Sequence, residues 1–242
     1  NYISPIDGSV SSTSSPDKLN LYSVANNIPN HLISYQGVRI ENDSLPYINL
    51  DDFISNANVA YHFDGQLVGK YFKSLCNVDV IDDKIIDIVQ QENGNVSELI
   101  LENTKIKDID LIIDCLGFNS IFSRLDRGWV DYSKHLPVNT ALPFQIKNIQ
   151  PEQTQALTFS IAKNAGWMWQ IPVAERYGCG YVFCDDYITQ EQAYEEIVQQ
   201  YGEVDIIKTI KFKSGRLKEL WKNNVVALGL SSGFLEPLQA TA

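Results

Sequence analysis

The sequence predicts an α/β fold with mixed and antiparallel sheets. Residues Asp110 to Phe118 form a short apolar run with a glycine near its end, which is typical of a buried strand in an α/β domain. Residues Gln155 to Ala162 alternate apolar and polar side chains, as half-buried antiparallel strands do. Thr189 and Gln192 form a capping box at the start of a helical apolar pattern. Both strand and helix patterns therefore occur along the chain.

The composition indicates a globular protein with one large core or two small ones, since 44% of the 242 residues are apolar. The net charge of -11 argues against a nucleic-acid partner, because surfaces that bind phosphate backbones are basic. The apolar runs are far shorter than the roughly 20 residues of a membrane-spanning helix, and no signal segment opens the chain. We therefore expect a cytoplasmic protein with neither a nucleic-acid nor a membrane partner.

The cysteines and histidines are scattered and show no metal-ligand spacing. No CxxC pair occurs, and no histidine lies near a cysteine in the sequence. We therefore predict no metal site, and we expect reduced, mostly buried thiols at Cys76, Cys115, Cys179 and Cys184.

The two ends of the sequence suggest an internal piece of a longer protein. The chain opens on Asn1-Tyr2 without a methionine. It closes on Gln239 to Ala242, directly after residues that would begin a helix. A helix stopped there would remain unfinished, so we expect further sequence on both sides.

The first part of the chain divides near residue 60. Residues 1–59 are polar and loop-rich, with Ser15-Pro16 predicted as the N-cap and first residue of a short helix. Asn93-Gly94 predicts a hairpin between strands at 84–90 and 96–102. From residue 60 onward, helical spacing predicts a helix with an apolar stripe formed by Phe63, Leu67, Tyr71, Phe72 and Leu75.

Residues 137–184 are predicted to form an antiparallel sheet with strands at 138–146, 155–162, 166–171 and 180–184. Gly178 and Gly180 are expected to bracket a tight turn around Cys179. After the capped helix, further strands are predicted at 205–212 and 224–230. A small-residue turn, Ser231 to Gly233, then leads into the start of a helix at Phe234.

The segment G-W-M-W-Q-I-P, Gly166 to Pro172, places two indoles two residues apart. In a strand, positions i and i+2 share a face, so Trp167 and Trp169 should form a paired aromatic surface. Met168 and Gln170 should point the other way. Such a pair is either ordinary sheet core or the wall of a site, and the segment alone leaves both readings open.

Two strand ends offer backbone groups to a ligand. Gly117 follows one buried strand, and the turn Ser231 to Gly233 follows another, as in sites where backbone N–H groups hold an anion. Ordinary strand-to-helix connections have the same pattern. Elsewhere, His62 and Asp64 form either a charge pair or a solvated helix start, and Arg176 and Arg216 either bind anions or lie on an ordinary surface.

Four ordered segments closely resemble the flavin-dependent halogenases of the tryptophan halogenase family. They are Y-H-F-D-G-Q-L-V, D-L-I-I-D-C-L-G-F, G-W-M-W-Q-I-P followed by E-R-Y-G-C-G-Y-V-F, and N-N-V-V-A-L-G-L-S-S-G-F-L-E-P-L-Q-A-T-A. The W-x-W-x-I-P stretch is the signature that separates this family from related flavin monooxygenases. The resemblance runs from about residue 60 to the C-terminus, and residues 1–59 match less clearly.

The resemblance implies a flavin-monooxygenase-like, FAD-binding three-layer fold that is incomplete at both ends of this chain. Residues 1–242 would be an internal part of one halogenase domain, with 1–59 as a loop-rich excursion and 60–242 as its core. It also implies a separate flavin reductase that supplies FADH2, a chloride or bromide ion, and a small aromatic substrate. Hypohalous acid would carry the halogen through a tunnel to that substrate. A homodimer is one assembly that we consider for the protein.

The resemblance also assigns residues. Trp167, Trp169, Ile171 and Pro172 match the signature on the flavin side. The remaining assignments are Asp114, Gly117, Leu230 and Glu236 for cofactor binding, Thr241 and Ala242 for the halide, and Gln239 at the position of the family's catalytic glutamate.

Two departures from the family pattern limit what the resemblance implies. Gln239 forms hydrogen bonds but is neither a proton acceptor nor a negative charge. The chain also contains no G-x-G-x-x-G, and the family's lysine lies in the same upstream portion, so this chain alone should bind FAD poorly or not at all. A flavin monooxygenase that uses no halide and a catalytically impaired flavin-fold protein therefore remain alternatives.

Overall fold

The structure is a computed structural model that describes residue 27, residues 62–150, residue 154 and residues 157–235. The short helix predicted at Ser15-Pro16 lies outside the described residues, as does most of the predicted C-terminal helix. The same holds for four predicted site residues, Glu236, Gln239, Thr241 and Ala242.

The described residues contain two α-helices, α1 (Gly65–Leu75) and α2 (Gln190–Tyr201). The strands among them are β1 (Ile85–Gln90), β2 (Val96–Leu101), β3 (Lys105–Lys107), β4 (Ile112–Asp114), β5 (Trp129–Asp131), β6 (Thr140–Lys147), β7 (Phe159–Lys163), β8 (Gly166–Pro172), β9 (Arg176–Phe183), β10 (Ile210–Lys211), β11 (Gly215–Leu217), β12 (Trp221–Lys222), β13 (Val225–Ala227) and β14 (Gly233–Phe234). The mixed α/β class is therefore confirmed. Neither helix in this part of the chain has the length and apolar character needed to cross a lipid bilayer.

The chain divides into two compact units. Residues 62–74 and 141–209 belong to the first, and residues 75–140 and 210–235 to the second. In the first unit, four strands follow the order β6-β9-β8-β7, and β8 pairs antiparallel with both β7 and β9. The predicted antiparallel sheet is thus confirmed. Its core consists of Leu142, Phe144, Ala165, Met168, Cys179, Tyr181, Phe183, Ala193 and Ile197.

The helix α2 begins where its sequence predicts. The Thr189 side chain accepts a hydrogen bond from the Gln192 backbone N–H, and the Gln192 side chain accepts one from the Thr189 backbone N–H. This capping box satisfies two N–H groups that would otherwise lack partners. Ala193 and Ile197 then turn into the core.

The described residues of the second unit form three small sheets. The strands β1, β2 and β3 form an antiparallel meander, and Gly94 has φ +85° in the predicted hairpin turn. The order of the second sheet is β12-β13-β4, in which β13 and β4 run parallel. The third has the order β14-β11-β5. The core of this unit consists of Val96, Leu99, Leu101, Ile112, Phe122, Leu125 and Val225.

Several sequence predictions fail in detail. The strand predicted as fully buried is the three-residue β4, and Ile113 within it is 59% exposed because nothing described covers that face. The predicted strand at 205–212 shrinks to β10. Phe234 begins no helix but pairs with Gly215 in the β-ladder of β14 and β11. Helix α1 forms as predicted, although none of its residues is buried.

All four cysteines are free thiols, but only half of them are buried. Cys179 and Cys184 lie in the interior, whereas Cys76 and Cys115 are exposed. Burial raises the pKa of the Cys179 thiol to about 12, which keeps it protonated and unreactive near neutral pH. The prediction of mostly buried thiols is therefore correct for two of the four.

Candidate functional site

The segment Gly166 to Pro172 forms β8 with the alternation that its sequence predicts. Met168 is fully buried in the core of the first unit, and the neighbouring Trp167 and Trp169 are half-buried. The two indole centroids lie 6.1 Å apart at an interplanar angle of 61°. This edge-to-face arrangement is one that aromatic rings prefer. The predicted paired aromatic surface is therefore present.

Gly180 makes room for one of the two indoles. It lies opposite Trp169 in the antiparallel ladder of β8 and β9. A Cβ atom at Gly180 would come within 2.1 Å of Trp169 Cη2, a distance that real contacts do not allow. The turn predicted around Cys179 is wrong, because β9 continues through both glycines and the chain turns earlier, between Val173 and Arg176. The glycine at 180 marks a close approach of a side chain instead of a turn.

Polar contacts fix the end of β8 and the start of α1. His62 Nδ1 lies 3.1 Å from the Pro172 carbonyl oxygen, and its Nε2 lies 3.1 Å from Thr158 Oγ1. Asp64 accepts hydrogen bonds from two backbone N–H groups of the first turn of α1, as an N-cap does. Asp64 therefore caps the start of α1, and His62 contacts Pro172 and Thr158 instead of Asp64.

Arg176 donates a hydrogen bond to Asp64 Oδ2 at 2.6 Å. This bond, together with those from the helix backbone, lowers the pKa of the Asp64 carboxyl group below its ordinary value. The Arg176 charge is thus engaged by a carboxylate of the same unit, so the reading of Arg176 as an anion-binding residue gains no support.

The two predicted strand ends come together in the second unit. In the parallel register of β4 and β13, Asp114 lies beside Ala227, so both strands end at the same edge. The Gly117 backbone N–H donates to Ser231 Oγ at 2.7 Å, which joins the turns that follow the two strands. Gly117 has φ +77°, a conformation that glycine adopts without strain. In open α/β sheets, ligands bind beside such carboxyl ends.

Asp114 is buried at the end of β4, and each of its carboxylate oxygens accepts a hydrogen bond. Ser120 Oγ donates to Oδ2 at 2.6 Å, and the Leu116 backbone N–H donates to Oδ1 at 3.1 Å. Ser120 also caps the 3₁₀ turn Ile121–Arg124 by accepting from the Phe122 N–H. The carboxylate therefore organises the loop between β4 and that turn.

A cavity of about 360 Å³ opens beside these strand ends. Three of the predicted cofactor-binding residues, Asp114, Gly117 and Leu230, line it together, and Glu236 lies outside the described residues. Its size is in the range of small-molecule sites. The three residues therefore lie at one cavity, and their role in cofactor binding stays a prediction.

The cavity also has two lining residues that sequence reasoning missed, Arg127 and Trp129. Arg127 is only 2% exposed, and burial lowers the pKa of its guanidinium from the ordinary value. The segment L-D-R-G-W contains no periodicity or motif that could have predicted this burial. Unpaired N–H donors beside glycine-bearing strand ends are a donor set that fits a flavin nucleotide, which carries phosphoryl and carbonyl acceptors.

Comparison with known proteins identifies the matching family. The model of the tryptophan halogenase family matches residues 21–242. Tryptophan 7-halogenase RebH of Lentzea aerocolonigenes is 29% identical over 194 residues, which is 76% of this chain and 37% of RebH. Tryptophan 6-halogenase SttH of Streptomyces toxytricini is 32% identical over 191 residues, 75% of this chain and 36% of SttH.

Solved structures agree with the sequence relatives. The crystal structure of SttH superposes with a TM-score of 0.71 at 31% identity, covering 77% of this chain and 38% of SttH. BrvH, a flavin-dependent halogenase from Brevundimonas sp. BAL3, gives a TM-score of 0.78 at 28% identity, covering 97% of this chain and 50% of BrvH. The chain thus spans half or less of the length of each of these relatives.

Proposed function

The chain belongs to the tryptophan halogenase family, and from this premise we propose that the protein is a flavin-dependent halogenase. It would halogenate an electron-rich aromatic compound, either tryptophan or another indole or phenol. The reaction would consume FADH2, oxygen and chloride or bromide, and would proceed through hypohalous acid. When bound, the reduced flavin supplies the electrons that activate oxygen.

The observation that carries this proposal is the geometry of the W-x-W-x-I-P strand. Trp167 and Trp169 lie together on one face of β8, and the opposite face holds Met168 in the core. We propose that this half-buried indole surface, with Ile171 and Pro172, forms a wall beside the flavin. A wall of this kind excludes water, which would otherwise divert the oxidant into hydrolysis.

We propose that the strand-end cavity of the second unit binds part of a flavin cofactor. Asp114, Gly117 and Leu230 line it, and Gly117 allows close approach of the backbone. Glu236 would join them by its position in the family pattern. Thr241 and Ala242 would bind the halide through a hydroxyl group and a backbone N–H.

The position of the catalytic glutamate carries Gln239 in this chain. An amide can orient the halogenating species through hydrogen bonds, but it cannot take the proton from the cationic intermediate. We propose that water takes that proton during turnover. The same substitution favours a second candidate, a flavin-fold protein that binds cofactor but halogenates poorly or not at all.

We propose a separate flavin reductase as the partner that supplies FADH2. We also propose a cytoplasmic location, where reductases and NADH are present.

The oligomeric state of the protein can be tested together with its activity. A full-length protein that elutes as a dimer at working concentrations would establish the homodimer.

The experiment uses the full-length protein with a flavin reductase, NADH, FAD and either bromide or chloride. Electron-rich aromatics are supplied in parallel, and products are identified by the mass and isotope pattern of one added halogen. We expect halogenated product only when halide is present. Oxygenated product that forms equally well without halide would indicate a monooxygenase instead.

Two variants sharpen this assay. Trp169→Phe should lower the halogenated product formed per NADH consumed, because a smaller ring leaves a gap in the proposed wall. The matched control is Trp221→Phe, at an indole that is 66% exposed on β12. Gln239→Glu tests the second candidate: restoration of halogenation to an inactive wild type would establish impairment at this position, and a fully active wild type would exclude it.

A further inference from the structure

Arg127 is a buried cation with few partners. Its Nη2 atom donates to the Val225 carbonyl oxygen across 3.5 Å, a long hydrogen bond. Its Nε and Nη1 atoms are buried and have no hydrogen-bond partner among the described residues. A guanidinium carries five N–H donors, so most of its capacity is unused.

Trp129 is a second lining residue with a buried donor that has no partner among the described residues. Its indole Nε1 is buried and has no hydrogen-bond partner in the part of the chain that the structure describes. The indole packs over Gly215, where a Cβ atom would come within 2.5 Å of Nε1. Arg127 and Trp129 both line the cavity of about 360 Å³. The buried side-chain atoms of these two lining residues that lack hydrogen-bond partners among the described residues are therefore all donors, which favours a ligand rich in acceptors.

Two carboxylates line the cavity: Asp126 is exposed, and the buried Asp114 is already engaged. Both oxygens of Asp114 accept hydrogen bonds, from Ser120 and Leu116, and no ion pair joins Asp114 to Arg127 among the described residues. Asp114 and Glu219 stabilise the Arg127 charge only at a distance. Proteins rarely leave a buried cation without a direct anionic partner, because the cost of its desolvation is then not offset.

The chemistry of the donors selects the ligand. A guanidinium presents a planar fork that binds phosphoryl oxygens bidentately, and an indole N–H adds a single donor. Of the groups on an oxidised flavin nucleotide, the form used in the titration below, the phosphoryl groups are the ones that carry negative charge at neutral pH. They alone would neutralise the Arg127 cation as well as accept its hydrogen bonds.

We propose that Arg127, assisted by the Trp129 indole N–H, binds a phosphoryl group in this cavity. That FAD supplies the phosphoryl group rests on the proposed function, whereas free phosphate would use the same donors. Arg127 is in this sense a cofactor-binding residue contributed by the loop before β5.

The test compares flavins with and without phosphoryl groups. Full-length apoprotein is titrated with FAD, FMN and riboflavin by fluorescence, and its melting temperature is measured with and without inorganic phosphate. The variants are Arg127→Met, which keeps the length but removes the donors, and Arg127→Lys, which keeps the charge. Tyr201→Phe is the matched control. It removes a different buried polar atom that has no partner among the described residues, and it lies on α2 of the first unit.

We expect Arg127→Met to raise the dissociation constant of FAD by about tenfold to a hundredfold, as loss of hydrogen bonds to a charged group does. Riboflavin affinity should not change, Arg127→Lys should be intermediate, and Tyr201→Phe should bind as the wild type does. Without ligand, Arg127→Met should melt at or above the wild-type temperature, because it removes an uncompensated buried charge.

Three results would overturn the proposal. The first is that Arg127→Met loses affinity for FAD and riboflavin equally. The second is that it loses affinity for neither, and that phosphate does not stabilise the wild type. The third is that ligand-free Arg127→Met melts several degrees below the wild type. A different result would support the site with free phosphate as the ligand. In that case phosphate stabilises the wild type but not Arg127→Met, and the substitution leaves FAD affinity unchanged. None of these measurements requires turnover. A failed halogenation assay would therefore contradict the proposed function and leave the test of the phosphoryl site valid.

Discussion

In the sheet of the first unit, Met168, Tyr181 and Phe183 are fully buried, whereas beside the strand-end cavity of the second unit Ile113 and Leu230 are exposed. The indoles on β8 contact each other, and Gly180 accommodates one of them. At the cavity, by contrast, Arg127 and Trp129 retain buried donors without partners among the described residues. The core of the sheet is packed by its own side chains, whereas the buried donors at the cavity are free to bind a ligand.

This difference predicts how the two regions respond to ligand. A group that binds only the folded protein adds to its stability by mass action. Substitutions in the core of the sheet, on the face opposite to the indoles, should therefore change the stability of the protein without changing cofactor affinity. Substitutions at the strand ends should change both. The predictions below test this separation, from the largest expected effect to the smallest.

Met168→Ala should have the largest effect on stability. The side chain is fully buried between β7 and β9, and its loss should lower the free energy of unfolding by about 2–5 kcal/mol. Denaturant unfolding of the full-length protein measures this change. FAD affinity of the folded variant should stay at the wild-type value, because Met168 faces the core on the side opposite to the indoles.

The control for this substitution is Met168→Leu, which conserves most of the volume and should lower stability by less than about 1.5 kcal/mol. If Met168→Ala lost FAD affinity while still folded, the sheet and the cofactor site would not be separable as described.

Gly180→Ala should lower the free energy of unfolding by up to about 3 kcal/mol, as overpacking does. The new methyl group would overlap the Trp169 ring, so either the ring or the strand must move. Gly178→Ala is a matched control on the same strand, because its Cβ atom would meet nothing closer than 3.6 Å. Chemical denaturation of both variants gives the comparison.

A double substitution identifies the clash itself. Combined with Trp169→Ala, the Gly180→Ala change should cost little, because the overlapping ring is gone. Equal costs of Gly180→Ala in the presence and absence of the indole would contradict the packing of Trp169 against this glycine.

The glycines also illustrate what sequence can predict. The hairpin at Asn93-Gly94 and the capping box at Thr189 and Gln192 were predicted correctly, because short-range rules determine them. Gly178 and Gly180 were misread as a turn, because Gly180 is explained by an indole on the neighbouring strand. Two glycines two residues apart have the same appearance in both cases.

The residues of the candidate site also fall into those that the sequence predicts and those that it does not. Gly117 was predicted from a strand that ends in glycine and Asp114 from the family resemblance, and the structure places both at the cavity. Arg127 was missed because its burial depends on β13, whose Val225 lies 98 residues further along the chain. No local pattern records a contact of that range. Gln239 and Thr241 rest on the family pattern alone and stay predictions.

Ser120→Ala should lower the free energy of unfolding by about 1–2 kcal/mol. The substitution removes a donor to the buried Asp114 carboxylate and the acceptor that caps the Phe122 N–H. Unlike Met168→Ala, it should also weaken FAD binding, because the loop that carries Gly117 loses its anchor. Thermal unfolding and FAD titration measure the two effects.

The exposed Ser123, three residues later, also lines the cavity and provides the control for stability only. Ser123→Ala should change stability by no more than about 0.5 kcal/mol, as surface substitutions usually do. A Ser120→Ala protein that loses stability but keeps full FAD affinity would separate the loop from the cofactor site.

The smallest effect is expected at Asp131, on β5 next to the cavity-lining Trp129. The Lys213 ammonium group, 2.6 Å away, and the Ser133 N–H hold the pKa of the Asp131 carboxyl group down to about 2. A carboxyl group whose pKa is lower in the folded state stabilises the fold above its unfolded pKa and loses that contribution as the pH falls. The loss should therefore occur between about pH 4 and pH 2.

Asp131→Asn should be slightly less stable than the wild type at pH 6, and the difference should shrink toward zero as the pH falls to about 2. Melting temperatures of both proteins across this range test the prediction, and the carboxyl NMR titration of Asp131 locates its pKa directly. Lys213→Met should raise that pKa toward its ordinary value. Because both side chains are half-exposed, salt should weaken the effect. If FAD affinity followed the same pH dependence, this surface pair would belong to the cavity and the boundary of the ligand-dependent region would extend to β5.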